Sequence, residues 1–163
     1  MKQMAMADDD SEDSDPETMT PDENSEMLLS GDVSAVVVER LRPNSAQMLM
    51  LWQVYLARVN PLTKIIHVPS VEPYLVGAAS GTMQVPKSME ALLLSIFLMA
   101  VVSLTPDECR ERLGQAREQV LQSYSAAVRQ ILVRIGFLRH HNFTLLQALV
   151  IYLVWTPNRE RTM

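Results

Sequence analysis

The chain contains three histidines and a single cysteine, Cys109, which are residue types used in nucleophilic pairs and in zinc sites. One thiol excludes an internal disulfide and any zinc site built from several thiolates. A nucleophilic pair formed by Cys109 and a histidine is one interpretation. A lone thiol beside Arg110 in a helix is more typical of a small residue that fills space in a core, and we favour that interpretation.

The three histidines lack the spacing of a metal site. His140 and His141 are adjacent, so on a helix their side chains point about 100° apart, and neither has a carboxylate four residues later. His67 is distant from both in the sequence. We interpret His140 and His141 as lying at the end of a helix, near its last carbonyl groups. The glycines are also too dispersed for a phosphate-binding loop. They are Gly31, Gly77, Gly81, Gly114 and Gly136. We therefore predict no catalytic, cofactor-binding or metal-binding residues, no cofactor and no enzyme activity.

Basic residues are concentrated in one segment that we predict to be a single long helix. A nucleic-acid interface would place them on one face with aromatic residues nearby. Here they are distributed around the polar side and mixed with Glu111 and Glu118, so a solvated face is favoured over a DNA-contacting face. The six are Arg110, Arg112, Arg117, Arg129, Arg134 and Arg139.

Charge divides the chain into two parts. Residues 1–32 hold eleven acidic residues against the single Lys2, a formal charge of −10. The other 131 residues hold 13 Lys or Arg and 8 Asp or Glu, a formal charge of +5. Residues 1–32 also have few large apolar residues, so they cannot bury enough surface to offset the entropy lost on ordering. We predict a disordered acidic arm over 1–32 and a folded body over 33–163.

The acidic arm has two interpretations. Met27, Leu28 and Leu29 lie among acidic residues, a mixture that activation segments use when they fold onto coactivators. The alternative, which we favour, is a solubilising tail with no partner, because acidity is common in disordered arms.

The body shows helical periodicity and no strand alternation, which predicts an all-α fold of about five helices. Pro43–Val59 is the first helix, ended by Asn60-Pro61 because the residue before proline disfavours helical dihedrals. Leu62–Pro69 is predicted to be an extended connector. Ser70 then caps a short helix over Val71–Ala79. The preceding stretch, 33–41, is a strand or a helical turn.

Three further helices follow. Pro86–Leu104 is apolar nearly all round, so it must be surrounded by other helices or by a partner. Thr105 and Glu108 form a capping box that opens the long basic helix, whose apolar stripe extends to Leu138. Asn142 is a candidate end of that helix, and Thr144 with Gln147 repeats the capping pattern before a last apolar helix. Because that helix is largely apolar and the chain stops soon after it, we expect an open apolar surface there.

No segment indicates export or membrane insertion. The longest apolar run, Ala91–Leu104, has 14 residues, whereas a spanning helix needs about 20. The acidic N-terminus resembles neither a secretory signal nor a mitochondrial presequence. These features predict a soluble intracellular protein.

The run from Leu51 to Leu153 resembles the start of the fungal-specific transcription factor domain, the middle homology region of binuclear zinc-cluster factors. The resemblance covers about two-thirds of the chain and only the opening portion of that domain. The strings that carry it are Leu51-Trp52 with Tyr55, Val59-Asn60-Pro61-Leu62, His67-Val68-Pro69-Ser70-Val71, Glu90-Ala91-Leu92-Leu93, Ala100-Val101-Val102-Ser103-Leu104, Leu113-Gly114 with Arg117, Tyr124, Gln147-Ala148-Leu149 and Tyr152-Leu153.

The resemblance implies a nuclear regulator of transcription by RNA polymerase II, with a biosynthetic or metabolic gene set as its candidate target. It implies no zinc or sequence-specific DNA contact for these residues, because the family's cluster needs six cysteines. The expected partners are proteins (a full-length family member, a coactivator or a second copy), with a small effector as a further candidate. The alternative is a truncated gene product without independent activity, whose Ala91–Leu104 helix would be poorly covered.

Overall fold

The computed structural model describes residues 42–155, and every regular element within that range is a helix. The all-α prediction is therefore confirmed for this part of the chain. The predicted acidic arm and the undecided stretch 33–41 lie outside the described residues. The elements are α1 (Ser45–Val54), a π-helical turn (Tyr55–Val59), α2 (Asn60–Thr63), α3 (Val68–Ser80), α4 (Lys87–Ser103), α5 (Pro106–Leu113), α6 (Arg117–Ile135) and α7 (Phe143–Trp155).

Helix α4 is the centre of the fold. It packs against α6 on one side, α7 on another, and α1 with the π-helical turn on a third. Its central side chains are buried, as the all-round apolar sequence predicts. The poor coverage of this helix expected for an inactive fragment is not found. The buried residues are Ala91, Leu92, Leu93, Leu94, Ser95, Ile96, Phe97, Leu98, Ala100 and Val101.

The first helical segment has the predicted apolar face but does not stop at Asn60-Pro61. Leu51, Trp52 and Tyr55 are buried, and the two aromatic rings stack with centroids 6.3 Å apart. The prediction of a stop was wrong because the backbone widens into a π turn before the proline. There the Asn60 N–H donates to the Tyr55 carbonyl, five residues back. A wider turn accommodates the proline ring and its missing N–H, so the helix continues to Thr63.

The predicted connector Leu62–Pro69 is shorter than expected, because α3 starts at Val68 rather than at Val71. Proline in the first turn suits a helix start, since its absent N–H has no partner to lose there. Ser70 is inside the helix, and its hydroxyl lies 2.7 Å from Nδ1 of His67, the residue at the N-cap position. Gly81 ends α3 with a φ of 68°.

The predicted capping box of Thr105 and Glu108 is confirmed: the Glu108 N–H donates to Thr105 Oγ1, and the Thr105 N–H donates to the Glu108 carboxylate. The prediction of one long helix after it was wrong. Gly114 has a φ of 70° and ends α5 after Leu113, a left-handed conformation that glycine adopts without steric cost. A second helix, α6, then runs from Arg117 to Ile135.

The end of α6 and the start of α7 also differ from expectation. Gly136, with a φ of 65°, ends α6, so Leu138 is exposed rather than part of the buried stripe. Asn142 opens α7 instead of ending α6: its Oδ1 accepts from the Thr144 N–H at 2.8 Å. Gln147, predicted to complete a capping box, donates from Nε2 to the carbonyl of Ile65 at 2.8 Å. This bond ties α7 to the segment that follows α2.

Two arginines hold the C-terminal end of α4. Arg58 of the π turn donates to the Ser103 carbonyl at 3.0 Å, and Arg117 of α6 donates to the Val102 carbonyl at 2.8 Å. Arg58 also pairs with both carboxylate oxygens of Glu108, at 2.9 and 2.6 Å. Cations at a helix C-terminus stabilise it through its unpaired carbonyls and its dipole. This group connects the π turn, α4, α5 and α6.

The α4–α7 contact is close at Ser95. The Ser95 hydroxyl is buried and lies 2.8 Å from the Ala91 carbonyl and 3.2 Å from the Ala148 carbonyl of α7. Two small side chains, Ser95 and Ala148, are therefore what lets the two helix backbones approach.

No helix within residues 42–155 combines the length and the hydropathy that a membrane crossing requires.

We predict that the Arg58–Glu108 pair makes stability depend on pH. The hydrogen bonds from Arg58 and from the Thr105 backbone lower the pKa of Glu108 from 4.5 to about 2. The unfolded chain thus binds this proton more readily, so the stabilisation is complete above about pH 4.5 and is lost as the pH falls toward 2. Urea unfolding at several pH values should show that the stability gap between the wild type and Glu108→Gln closes over that interval. Glu111→Gln, an exposed carboxyl on the same helix, is the control, and an equal gap at every pH would contradict the assignment.

We predict that Ser95→Leu lowers the free energy of unfolding by about 1–3 kcal/mol, because extra methylene groups must be inserted between α4 and α7. Ser95→Ala loses a hydrogen bond without adding volume and should cost about 0.5–1.5 kcal/mol. Urea denaturation followed by circular dichroism measures both. A leucine variant as stable as the alanine variant would show that the helices are not closely packed at this position.

Candidate functional site

Cys109 lies in the core, as the sequence predicts for a filler residue. Its side chain is fully buried, and desolvation raises the pKa of its thiol above the usual value, with opposing effects from Arg117 and Glu118. A raised pKa keeps the thiol protonated and weakly nucleophilic at neutral pH. The residue therefore packs rather than reacts.

The histidines do not converge. His140 and His141 are exposed and lie in the loop before α7, well past the end of α6, so their predicted placement at a helix end was wrong. His67 is at the start of α3. Within residues 42–155, no three His, Cys, Asp or Glu side chains are grouped closely enough to hold a metal ion.

The six arginines belong to two helices and a loop, not to one helix. Arg110 and Arg112 lie on α5, whereas Arg117, Arg129 and Arg134 lie on α6. At about 100° per residue, the three on α6 are separated by roughly 120° and 140° around the axis. Arg117 is moreover engaged with the end of α4. The described part of α6 thus presents no single arginine face, and the interpretation as solvated surface stays a prediction.

The most distinctive exposed surface in the described part of the chain is on α7. We define the α7 face as Phe143, Leu146, Val150, Leu153 and Val154, whose exposed fractions range from 39% to 71%. The opposite side of the helix, with Leu145, Ala148, Ile151, Tyr152 and Trp155, is buried against the core. The open apolar surface expected near this helix is therefore present.

The α7 face has the geometry of a helix-pairing stripe. Phe143, Leu146, Val150 and Leu153 are spaced by three, four and three residues, the alternation that places side chains along one helix–helix seam. No charged residue occurs between Phe143 and Trp155. The stripe is held in place from behind by the Gln147–Ile65 hydrogen bond and the Ser95 contact with α7. Such a surface can bind an apolar helix or groove, and it offers no group for bond making.

The sequence did not reveal which side of α7 would be exposed. It also did not reveal that Arg58 and Arg117 donate hydrogen bonds to carbonyls at the end of α4. The two sides of α7 are equally apolar, so hydropathy does not indicate which side is buried. One signal could have indicated the role of Arg58. It lies in the last turn of the helical segment before Asn60-Pro61, where a cation can reach the end of a neighbouring helix.

Comparison with known proteins finds fungal transcription factors. The chain is 48% identical over 150 residues to the pyriculol/pyriculariol biosynthesis cluster transcription factor 1 of Pyricularia oryzae, covering 91% of this chain and 20% of that protein. It is 38% identical over 134 residues to the transcriptional regulator nsrM of Aspergillus novofumigatus, covering 82% and 19%. It is 33% identical over 119 residues to the C6 finger domain transcription factor adaR of Aspergillus niger, covering 69% and 15%.

These matches also bear on the extent of the similarity. A match to 91% of the chain leaves about 15 residues unmatched, fewer than the 32 of the acidic arm, so the similarity includes part of that arm. The chain spans about a fifth or less of the length of these curated relatives. No protein-family model matches the chain, and no solved structure matches it.

The all-α body built around α4 and the relatives named as regulators agree with the resemblance seen in the sequence. By homology, the chain belongs to the fungal zinc-cluster (C6 finger) transcription factors, of which it corresponds to one segment.

Proposed function

We propose that the chain acts in the nucleus as part of the regulation of a secondary-metabolite gene cluster, through contacts between the α7 face and another protein. The similarity to the Pyricularia cluster transcription factor supports the regulatory role and the kind of gene set. The exposed stripe on α7 supports the mode of action.

The occupant that fits the α7 face is an apolar helix of another transcription-regulatory protein. The three-four-three spacing matches the pairing seam of two helices, and the uncharged surface gives no electrostatic selection for nucleic acid. Five partly exposed side chains on one short helix make a small interface, well below the roughly 800 Å² per partner of a stable complex. The contact is therefore expected to be one part of a larger assembly rather than a self-sufficient dimer.

Direct binding to DNA is not part of this proposal. The 163 residues contain one cysteine, so they cannot form the six-thiolate cluster that the family uses. The enzyme class also lacks support, because the buried Cys109 and the separated histidines make no catalytic pair.

We predict that the chain alters transcription when a heterologous DNA-binding domain brings it to a yeast reporter gene. Leu146→Glu and Val150→Asp should each weaken the effect about fivefold or more, because they place a charge in an apolar contact. Leu62→Glu, at a position that is 86% exposed on α2, is the matched control and should leave the effect unchanged.

Deletion of residues 1–32 separates the α7 face from the acidic arm as the source of that effect. Loss of reporter output on deletion, with full output from both α7 variants, would transfer the activity to the arm and refute the α7 proposal. Circular dichroism of the purified variants checks that the fold survives.

We also predict that the purified chain has no sequence-specific affinity for DNA. Any binding should be weak and should vanish as salt rises, since it would come from phosphate contacts of dispersed arginines. Gel-shift titrations with promoter fragments and scrambled fragments, at low and physiological salt, measure this. A shift that depends on sequence and resists salt would be contrary to the proposal.

A further inference from the structure

A cavity of about 340 Å³ lies where the start of α1, the end of α3 and the first half of α4 meet. This volume is within the range of small-molecule sites, roughly 300–1,000 Å³. Its lining is mainly apolar and comes mostly from the three helices and from the loop between α3 and α4. The apolar lining includes Met48, Ala78, Met83, Leu93, Leu94 and Phe97, and the polar lining residues are Arg42, Gln84, Lys87 and Glu90. None belongs to α7, so the cavity is separate from the α7 face.

One wall of the cavity is fixed by the loop that follows α3. Gly77 is buried in α3, and a Cβ at this position would lie 2.6 Å from Cβ of Met83. The loop therefore folds back onto α3 only because residue 77 has no side chain. The N–H groups of Thr82 and Met83 both donate to the Gly77 carbonyl, at 3.1 and 3.4 Å. These contacts hold Met83 at the cavity, so this wall is a fixed part of the fold rather than a gap in packing.

Counted over residues 42–155, the mouth of the cavity has two cations and one carboxylate, an excess of positive charge. Glu90 forms ion pairs with both Arg42 and Lys87, so two cations share one carboxylate. The N-terminal end of α4 also lies there, and its N-cap residue, Pro86, supplies no side-chain hydrogen bond to the first turn. A helix N-terminus adds positive partial charge from its unpaired N–H groups. An apolar interior below a positive rim is the pattern that selects an apolar molecule with one anionic group.

We propose that this cavity binds a small organic acid with an apolar ring or branched body and a single carboxylate. The body packs against Met48, Leu94 and Phe97, and the carboxylate lies at the rim beside Lys87. This site goes beyond the proposed function and does not rest on it, because binding of an acid is measurable whether or not α7 contacts a protein.

Isothermal titration calorimetry of the full chain with 2-naphthoate tests the proposal, and 2-naphthamide is the neutral analogue of the same shape. Naphthoate should bind, and the amide should bind about fivefold more weakly or worse, because it lacks the charge that the rim selects. Lys87→Gln should weaken naphthoate by about the same factor and leave the amide unchanged.

Two bulk variants on α3 locate the binding. Ala78→Phe fills the cavity and should weaken naphthoate at least about tenfold. Val76→Phe adds the same ring at an exposed position on the same helix and should have no effect. Thermal melts verify folding of both. Absence of naphthoate binding to the wild type, or binding that survives Ala78→Phe in a folded protein, overturns the site.

Equal affinity for naphthoate and naphthamide would overturn the acid selectivity. The α7 variant Val150→Asp should bind naphthoate as the wild type does, which keeps failure of the cavity proposal distinct from failure of the α7 proposal.

Discussion

The enclosure of α4 is the constraint on which the described fold depends. Ten of its seventeen residues are buried, and they occupy every side of the helix. Burying one large apolar side chain is worth about 1.5–3 kcal/mol, so an uncovered side of α4 would remove a large part of the stability of a small domain. The π turn, α6 and α7 are therefore arranged around α4 rather than around one another, and α6 and α7 contact each other far less than each contacts α4.

Enclosure leaves only the two ends of α4 polar, and the ends are treated differently. At the C-terminal end, Arg58 and Arg117 donate hydrogen bonds to carbonyls of the last turn of α4. Glu108 neutralises the positive charge of Arg58. At the N-terminal end, within residues 42–155, Arg42 and Lys87 both pair with Glu90, and the cavity opens beside them. The ion pair and hydrogen bonds at the C-terminal end fix the helix, whereas the N-terminal end borders the cavity at which we propose that an organic acid binds.

Much of the fold followed from residue patterns, and the errors have local causes. The apolar pattern predicted α4 and the apolar face of α1, and the residue types at 105 and 108 predicted the capping box. Both signals are local, because burial and capping each depend on a few neighbouring residues. Periodicity failed at Pro61 and Gly114. A π turn absorbed the proline without ending the helix, and a left-handed glycine broke a stripe that looked continuous. At the α7 face, hydropathy predicted apolar surface but could not choose the exposed side, because Leu145 and Leu146 are chemically identical and differ only in which side α4 covers.

The side of α7 that packs against α4 also determines which of its residues are exposed. Its buried side is matched to α4 by the Ser95 contact, so the helix cannot rotate to hide Leu146 and Val150 without losing that packing. The exposed stripe is thus a consequence of how α4 is enclosed, and α7 cannot bury it by a local rearrangement. An apolar stripe that the other described helices leave exposed, on a segment shared with regulators, supports the proposal that another helix packs against α7.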